Sequence, residues 1–370
     1  MKAREIIQRE FDKINRFKSN AGFFRFLMGE YGGSFNTYKK QFYKLQREHE
    51  HKALYKDAQQ KGYDADAVTH YWHKGKSISA FVKQQSPSYF DVRDEIVESM
   101  KEHAPQYERI DYGELDDPHL LVIDPADVHI GKLAREIESG SDYDMQIAQQ
   151  RVIEGVAGIL AKSQGFNIEQ ILFVGGNDIL HTDNTTRGTT RGTPQDTDGM
   201  WYEHFEVAKN VYVSVIEYLR QIAPVHFVFN PSNHDYMSGY FLADVIKTWF
   251  RNSEVTFDCS ISNRKYYRYF ENLIGTTHGD TARIEKLPLL MANEACEDWA
   301  VTRFRYLYTH HVHHKTSSKD YTGVTIESMR SPSATDSWHA KNGYIAPMAI
   351  EGFVHGRQNG QVARITHYFK

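Results

Sequence analysis

The sequence predicts an α/β protein in which a small helical domain precedes a layered domain of strands and helices. Three observations predict it. From residue 118 onward, short strand-like apolar runs alternate with helical stretches, the pattern of a layered α/β domain. Residues 1–45 instead space their apolar side chains at helical intervals. Charge divides the 370-residue chain along similar lines: residues 1–90 carry 17 Lys and Arg against 9 Asp and Glu, a balance of +8, and the remainder carries 27 against 39, a balance of −12. A basic unit of this kind suits an anionic polymer, or is a solvated helical surface.

In chain order, Ile6, Ile7, Phe11, Ile14 and Phe17 fall on one face of a first helix over residues 1–18, and Ser19-Asn20 opens a second through Phe23, Phe24 and Leu27. Tyr31-Gly32-Gly33-Ser34 breaks it. Ser34 is the expected N-cap of a third helix with Tyr38, Phe42 and Leu45 inward and Lys39, Lys40, Lys44 and Arg47 outward. Helix, Gly turn and basic helix resemble a helix-turn-helix, a grammar shared by any small helical bundle. The stretch YWHKGKSISAFVK at 71–83 is aromatic and basic, suited to stacking bases or to packing a core. These features assign 1–90 to a helical, nucleic-acid-binding unit and 91–117, containing Pro105, to a linker. Over 118–370, strands are expected at LLVI (120–123), ILFVGG (171–176), VHFVFN (225–230), LIGTTHG (273–279) and FRYLYTH (304–310), with helices near 143–163, 201–221, 240–251 and 283–299.

Composition narrows the function classes. The chain is 40% apolar, 13% aromatic and 25% charged, with no apolar run near the roughly 18 residues of a membrane span. Its start, MKAREIIQREFDK, is charged where a secretory leader is apolar. The expectation is a cytoplasmic protein without a membrane partner, with association of several copies left open. Cys259 and Cys296 are far apart and lack zinc spacing, so two buried thiols are expected.

The ends of the strands carry the chemistry. The run VIDPADVHIGKL ends in Asp127 and His129; the next four end in Gly-Gly-Asn-Asp at 175–178, Asn233-His234-Asp235, His278, and His310-His311-Val312-His313-His314. Any one could be a turn or a core histidine. Five successive strand ends delivering carboxylate, amide and imidazole groups to one edge build a binuclear site for manganese, iron or zinc.

The order Asp-x-His, Gly-x-Asp, Asn-His-Asp, His, His-x-His over about 118–315 resembles the calcineurin-like metallophosphoesterases. The resemblance implies a four-layer sandwich of two mixed sheets flanked by helices and two divalent metals, manganese first among them. It places Asp127, His129 and His313 on one metal, Asn233, His278 and His311 on the other, and Asp178 between them. Asn177 before Asp178, Ser232 before Asn233 and His310 before His311 depart from the family's pattern, the last two standing where it has Gly; His310 and His314 are expected beside the ligands or at the surface. His234 is the candidate general acid, with Asp235 orienting it or capping the following helix.

Asp-Val-His-Ile-Gly with Gly-Asn-Asp-Ile-Leu-His further resembles the DNA-repair nuclease branch, which makes His181 a candidate strand-positioning residue. The polar loop DNTTRGTTRGTPQDTDG at 183–199 is expected to face substrate, with Arg187 and Arg191 clamping phosphates, and its TTRGTPQD segment resembles phage and prophage metallophosphoesterases. The expected activity is a metal-dependent phosphodiesterase that cleaves DNA. The alternatives are a phosphatase or diesterase for a small molecule or phosphoprotein, and a DNA-binding protein with a vestigial site, which the complete ligand set opposes.

Overall fold

The computed structural model describes residues 2–17, 20–50, 70–74, 79–83, 104–315, 318–335, 343 and 346–369, those at 15, 46–50, 70–74 and 79–83 as backbone. The chain divides into two units, Met1–Glu98 and Ser99–Lys370.

In the first unit, α1 (Ala3–Glu10), α2 (Asn20–Tyr31) and α3 (Phe35–Glu50) enclose Ile6, Ile7, Phe23, Phe24, Leu27, Phe35, Tyr38 and Phe42. The α2–α3 turn forms as its residues predict. Gly32 and Gly33 take φ of 67° and 94°, and the Ser34 hydroxyl accepts from the Thr37 N–H at 3.2 Å as an N-cap. The first helix does not run to residue 18. It tightens into a 3-10 segment over Phe11–Arg16, where the change to three residues per turn leaves Phe11 45% exposed while stacked on Phe42, and Ile14 and Phe17 still pack on the core. Strands β1 (His70–Lys74) and β2 (Ser79–Lys83) pair antiparallel; residues 75–78 and the side chains of the 71–83 patch lie outside the described residues, as does the linker up to residue 103.

The second unit contains two mixed sheets. In order of appearance its elements are β3 (Pro118–Asp124), α4 (Glu136–Ser139), α5 (Met145–Lys162), β4 (Asn167–Gly176), α6 (Trp201–Leu219), β5 (Val225–Asn230), α7 (Tyr236–Trp249), β6 (Thr256–Asp258), β7 (Arg264–Tyr269), β8 (Asn272–Thr277), α8 (Leu287–Glu294), α9 (Cys296–Val301), β9 (Phe304–Thr309), β10 (Ser318–Tyr321), β11 (Val324–Ser328), β12 (Ala349–Gly356) and β13 (Gly360–Tyr368). The six-stranded sheet has the order β13-β12-β3-β4-β5-β6 and the five-stranded sheet β10-β11-β9-β8-β7. Period-two alternation along the buried strands explains the stacking. Leu121, Ile123, Ile171 and Phe173 face α5, α6 and α7 in one core. Leu120, Val122, Leu172 and Val174 point the other way and meet Ile274, Tyr308 and Phe353 between the sheets. Leu273, Leu307 and Ile326 of the five-stranded sheet cover Leu287 and Met291 on its outer side. Helices therefore flank two sheets packed face to face.

Several elements were not legible in advance. β12 is fully buried between β3 and β13, yet its sequence AIEGFVHG interrupts the apolar run with Glu351, Gly352 and His355. The carboxylate of Glu351 is accommodated by Arg330 at 2.8 Å and by Arg364, partners that no local pattern reveals. Residues 104–117 have no regular structure but are docked: the Tyr107 hydroxyl donates to Glu217 at 2.6 Å and the ring stacks on Phe250. Cys296 is exposed and Cys259 half-buried, correcting the expectation of two buried thiols. Among the described residues no helix is long and apolar enough to cross a membrane.

Candidate metal centre

The turns after the strands are built from left-handed backbone. Asp127 and His129 (φ 51° each), Asn177 (56°), Asp178 (61°), His311 (73°) and His313 (57°) all have positive φ. Asn, Asp and His tolerate this region better than other side chains, at a cost on the order of 1 kcal/mol each. Such strain persists where neighbouring structure enforces it. Here the Asp127 and His129 N–H groups donate to the carbonyls of Asn177 and Asp178, each at 2.9 Å, and His310 N donates to the His278 carbonyl at 3.0 Å.

Those turns bring the metal-capable groups together. One oxygen or nitrogen from each of Asp127, His129 and His313 lies within 4.8 Å of the others, and the same holds for Asp178, His278 and His311. The His129 and His313 Nε2 atoms stand 3.0 Å apart. Asn233 Oδ1 lies 2.8 Å from His278 Nε2. Between the two groups is Asp178: Oδ1 accepts from the His234 N–H at 3.0 Å, while Oδ2 is 3.3 Å from His278 Nε2 and 3.8 Å from His129 Nε2.

The donor set fits two divalent cations. Asp178 Oδ2 is buried and has only the long 3.3 Å contact to His278 Nε2 to satisfy it among the described residues, an arrangement that is costly for a carboxylate oxygen unless a cation, a charged His278 or a metal ion, lies against it. Burial, opposed by His278 and reinforced by the Asp178 carboxylate, pushes the Asp127 carboxyl up. Burial works to raise Asp178 as well, but His278 and His234 outweigh it and hold that carboxyl below the usual range. Burial and the neighbouring rings of His234, His313 and His181 keep the His129 imidazole well below its ordinary value, hence neutral, as a ligand must be.

Ser232 and His310, which stand where the resemblance expects Gly, are each held by buried partners. The Ser232 hydroxyl accepts from Asp178 N at 2.7 Å and donates to Asp235 at 2.5 Å. His310, expected beside the ligands or at the surface, is buried: Nδ1 donates to the Thr277 carbonyl at 2.8 Å, and Nε2 lies 2.9 and 3.1 Å from the two oxygens of Asp124. This pair joins the strand ends of the two sheets. His314 Nδ1 bonds the Val312 carbonyl.

Asp235 does not take either expected role. Its carboxylate accepts from Leu180 N at 2.9 Å and from Ser232, and it neither meets His234 nor caps α7 with its side chain. The partner of His234 is a carbonyl: Nδ1 donates to His181 O at 2.9 Å. The cap of α7 is Asp183, whose carboxylate accepts from the N–H groups of Met237 and Ser238 at 2.7–3.2 Å. A carboxylate arriving from another segment leaves no local capping pattern to read.

His181 is only 3% exposed. Its Nδ1 faces His129 Nδ1 at 3.3 Å, and its ring stacks on His234 at 5.3 Å. A His129 that gives Nε2 to a cation keeps its proton on Nδ1 and donates it toward His181, which makes His181 a positioning residue for a ligand. His181→Ala should therefore weaken manganese binding roughly 10- to 100-fold, the usual effect of losing such a support, in a calorimetric titration of the metal-free chain. Unchanged affinity would remove that role.

The 183–199 loop is tied down at both ends of the centre. Thr190 N donates to the Asn233 carbonyl at 3.1 Å, Leu133 N to Asp196 O at 3.1 Å and Asp198 N to Gly131 O at 2.9 Å. Arg187 and Arg191 are exposed; the Arg187 guanidinium contacts Met200 Sδ at 3.5 Å. Gly131 itself is constrained twice, because its φ is +98° and an added Cβ would lie 2.4 Å from the His204 ring. Gly131→Ala should lower stability by roughly 1–3 kcal/mol in chemical denaturation. Adding His204→Ala should recover only the part due to overlap; complete recovery would show that the backbone angle costs nothing.

No family model and no curated protein matches the chain. Among solved structures, Vps29 of Chaetomium thermophilum aligns with a TM-score of 0.28 at 14% identity, covering 68% of this chain and 98% of Vps29. Vps29 of that organism in complex with the RaPID-derived cyclic peptide RT-D3 aligns at 0.25 and 11%, covering 68% and 96%. Likeness at that level leaves the fold and the site to be read from this chain's own residues.

Proposed function

We propose that the chain is a dinuclear metal-dependent phosphodiesterase that cleaves DNA. The observation that carries this reading is the buried Asp178 Oδ2, standing 3.8 Å from His129 Nε2 and 3.3 Å from His278 Nε2, between the two groups of metal-capable side chains. Asp127, His129 and His313 would hold one divalent ion, Asn233, His278 and His311 the other, and Asp178 both; oxygen and imidazole donors suit manganese, with iron or zinc as substitutes. When bound, the two ions would polarise the phosphoryl oxygens and lower the pKa of the attacking water. His234 would act at the leaving group. Because its Nδ1–H is committed to the His181 carbonyl, Nε2 is the atom that can hand a proton to a departing alkoxide. Arg187 and Arg191 would attract the phosphates.

DNA is preferred over a small phosphoester because the basic first unit supplies a second site of anion attraction. Lys39, Lys40 and Lys44 lie on α3, whose opposite side contributes Phe35, Tyr38 and Phe42 to the unit's core. The discriminating experiment incubates the manganese-loaded protein with bis-p-nitrophenyl phosphate, labelled single-stranded, double-stranded and nicked DNA, mononucleotides and a phosphopeptide. Cleavage of the chromogenic diester and of DNA supports the reading. Turnover of mononucleotides or phosphopeptide alone supports the phosphatase alternative, and no turnover with any of them leaves a binding protein.

A further inference from the structure

Large aromatic side chains are exposed at both places where the 183–199 loop is anchored. Trp201 is 47% exposed and Tyr202 50%, three and four residues past Asp198, whose N–H is bonded to Gly131 of the Asp-x-His turn. Tyr236 is 42% exposed and Met237 46%. Tyr236 follows His234 by two positions, and its N–H donates to Thr190 of the loop at 3.2 Å. Packing does not require these side chains: the buried stripe of α6 begins at His204 and that of α7 at Gly239. Trp201 and Tyr202 meet edge to face at 5.8 Å, a contact that covers one face of one ring, and both side chains remain about half exposed. The same loop carries the exposed residues Arg187 and Arg191 on either side of Thr190, whose hydroxyl accepts from Tyr236 N, and the Arg187 guanidinium reaches Met200 beside Trp201. Exposed aromatic rings and cations gathered on one loop and its anchors are the composition that binds a nucleic-acid strand with little sequence preference.

We infer that the centre's substrate is single-stranded DNA, with unpaired bases stacked on a rim of Trp201, Tyr202 and Tyr236 and phosphates drawn to Arg187 and Arg191. This rests on the phosphodiesterase reading above. The choice of single strand follows from the rim: base pairs in a duplex have their faces covered by their neighbours, so a protein ring can stack only on a base that is already free.

The test uses the full chain with manganese and compares a labelled ~15-nucleotide oligothymidylate, a blunt duplex of the same length and bis-p-nitrophenyl phosphate. The single strand should exceed the duplex in kcat/KM. In Trp201→Ala the ratio of kcat/KM on the oligonucleotide to that on the small diester should fall about 5- to 150-fold, the usual worth of one base–aromatic stack. The fall should lie mainly in KM, and Trp201→Phe should restore most of it. Equal turnover of single strand and duplex, or an unchanged ratio in both Trp201→Ala and Tyr236→Ala, overturns the proposal. If the wild-type protein hydrolyses nothing, the phosphodiesterase reading fails separately, and fluorescence anisotropy with the same oligonucleotide decides the rim. Binding that weakens in Trp201→Ala and recovers in Trp201→Phe supports it, and no binding overturns it.

Discussion

Asp178→Asn should leave a chain that no longer holds two manganese ions and that loses at least on the order of 10²- to 10³-fold in diester turnover, the scale of removing one preorganised charge from a reacting centre. The reason is geometric. Oδ2 stands between His129 and His278, so a neutral amide there weakens both halves of the site, whereas most other ligand losses weaken one. The backbone should tolerate the change, because Asn also accepts left-handed φ and its amide oxygen can still accept from the His234 N–H. Metal content by mass spectrometry and turnover on bis-p-nitrophenyl phosphate measure the two consequences. Two tightly held ions with near-normal turnover would refute the shared role of Asp178.

His234→Asn tests a different step. If Nε2 supplies the proton to the leaving alkoxide, the variant should retain both ions, bind DNA normally and lose roughly 10²- to 10⁴-fold in DNA cleavage, the range for a missing general acid. The loss should shrink on a diester whose leaving group is p-nitrophenolate, since that anion departs without a proton. Equal losses on both substrates would mean that His234 maintains the site's geometry instead, through the bond from its Nδ1 to the His181 carbonyl and the stacking of its ring on His181. The comparison of leaving groups separates the two roles where a single rate would not.

The strand ends announced the site because short polar residues after apolar runs are a local signal, and five of them in one order are a rare coincidence. What supports those residues was not legible, since it arrives from distant segments. Asp124 pairs with His310 across 186 positions of sequence, Ser232 occupies a place expected to need glycine, and Asp183 caps a helix that begins more than fifty residues later. Asp235 was misread for the same reason: adjacency to His234 suggested a partnership, but the turn aims its carboxylate at Ser232 and Leu180. β12 escapes local reading for a similar reason. Its carboxylate, Glu351, is paired by Arg330 and Arg364, and a strand whose partners lie in other elements does not show the alternation that local reading needs.

β3, which precedes the first two metal-capable residues, is hydrogen-bonded on one side to β4 and on the other to β12, and β12 begins at Ala349, roughly 225 positions after β3 ends at Asp124. During synthesis at ~5–20 residues per second, that second neighbour arrives on the order of 10–45 s after β3 has left the ribosome. For that interval one edge of an apolar strand stays open, able to pair with another nascent chain. The wait for the hairpin of β12 and β13 is therefore a step of biogenesis exposed to aggregation, and every residue of the candidate metal centre, the last being His313, has been synthesised before it ends.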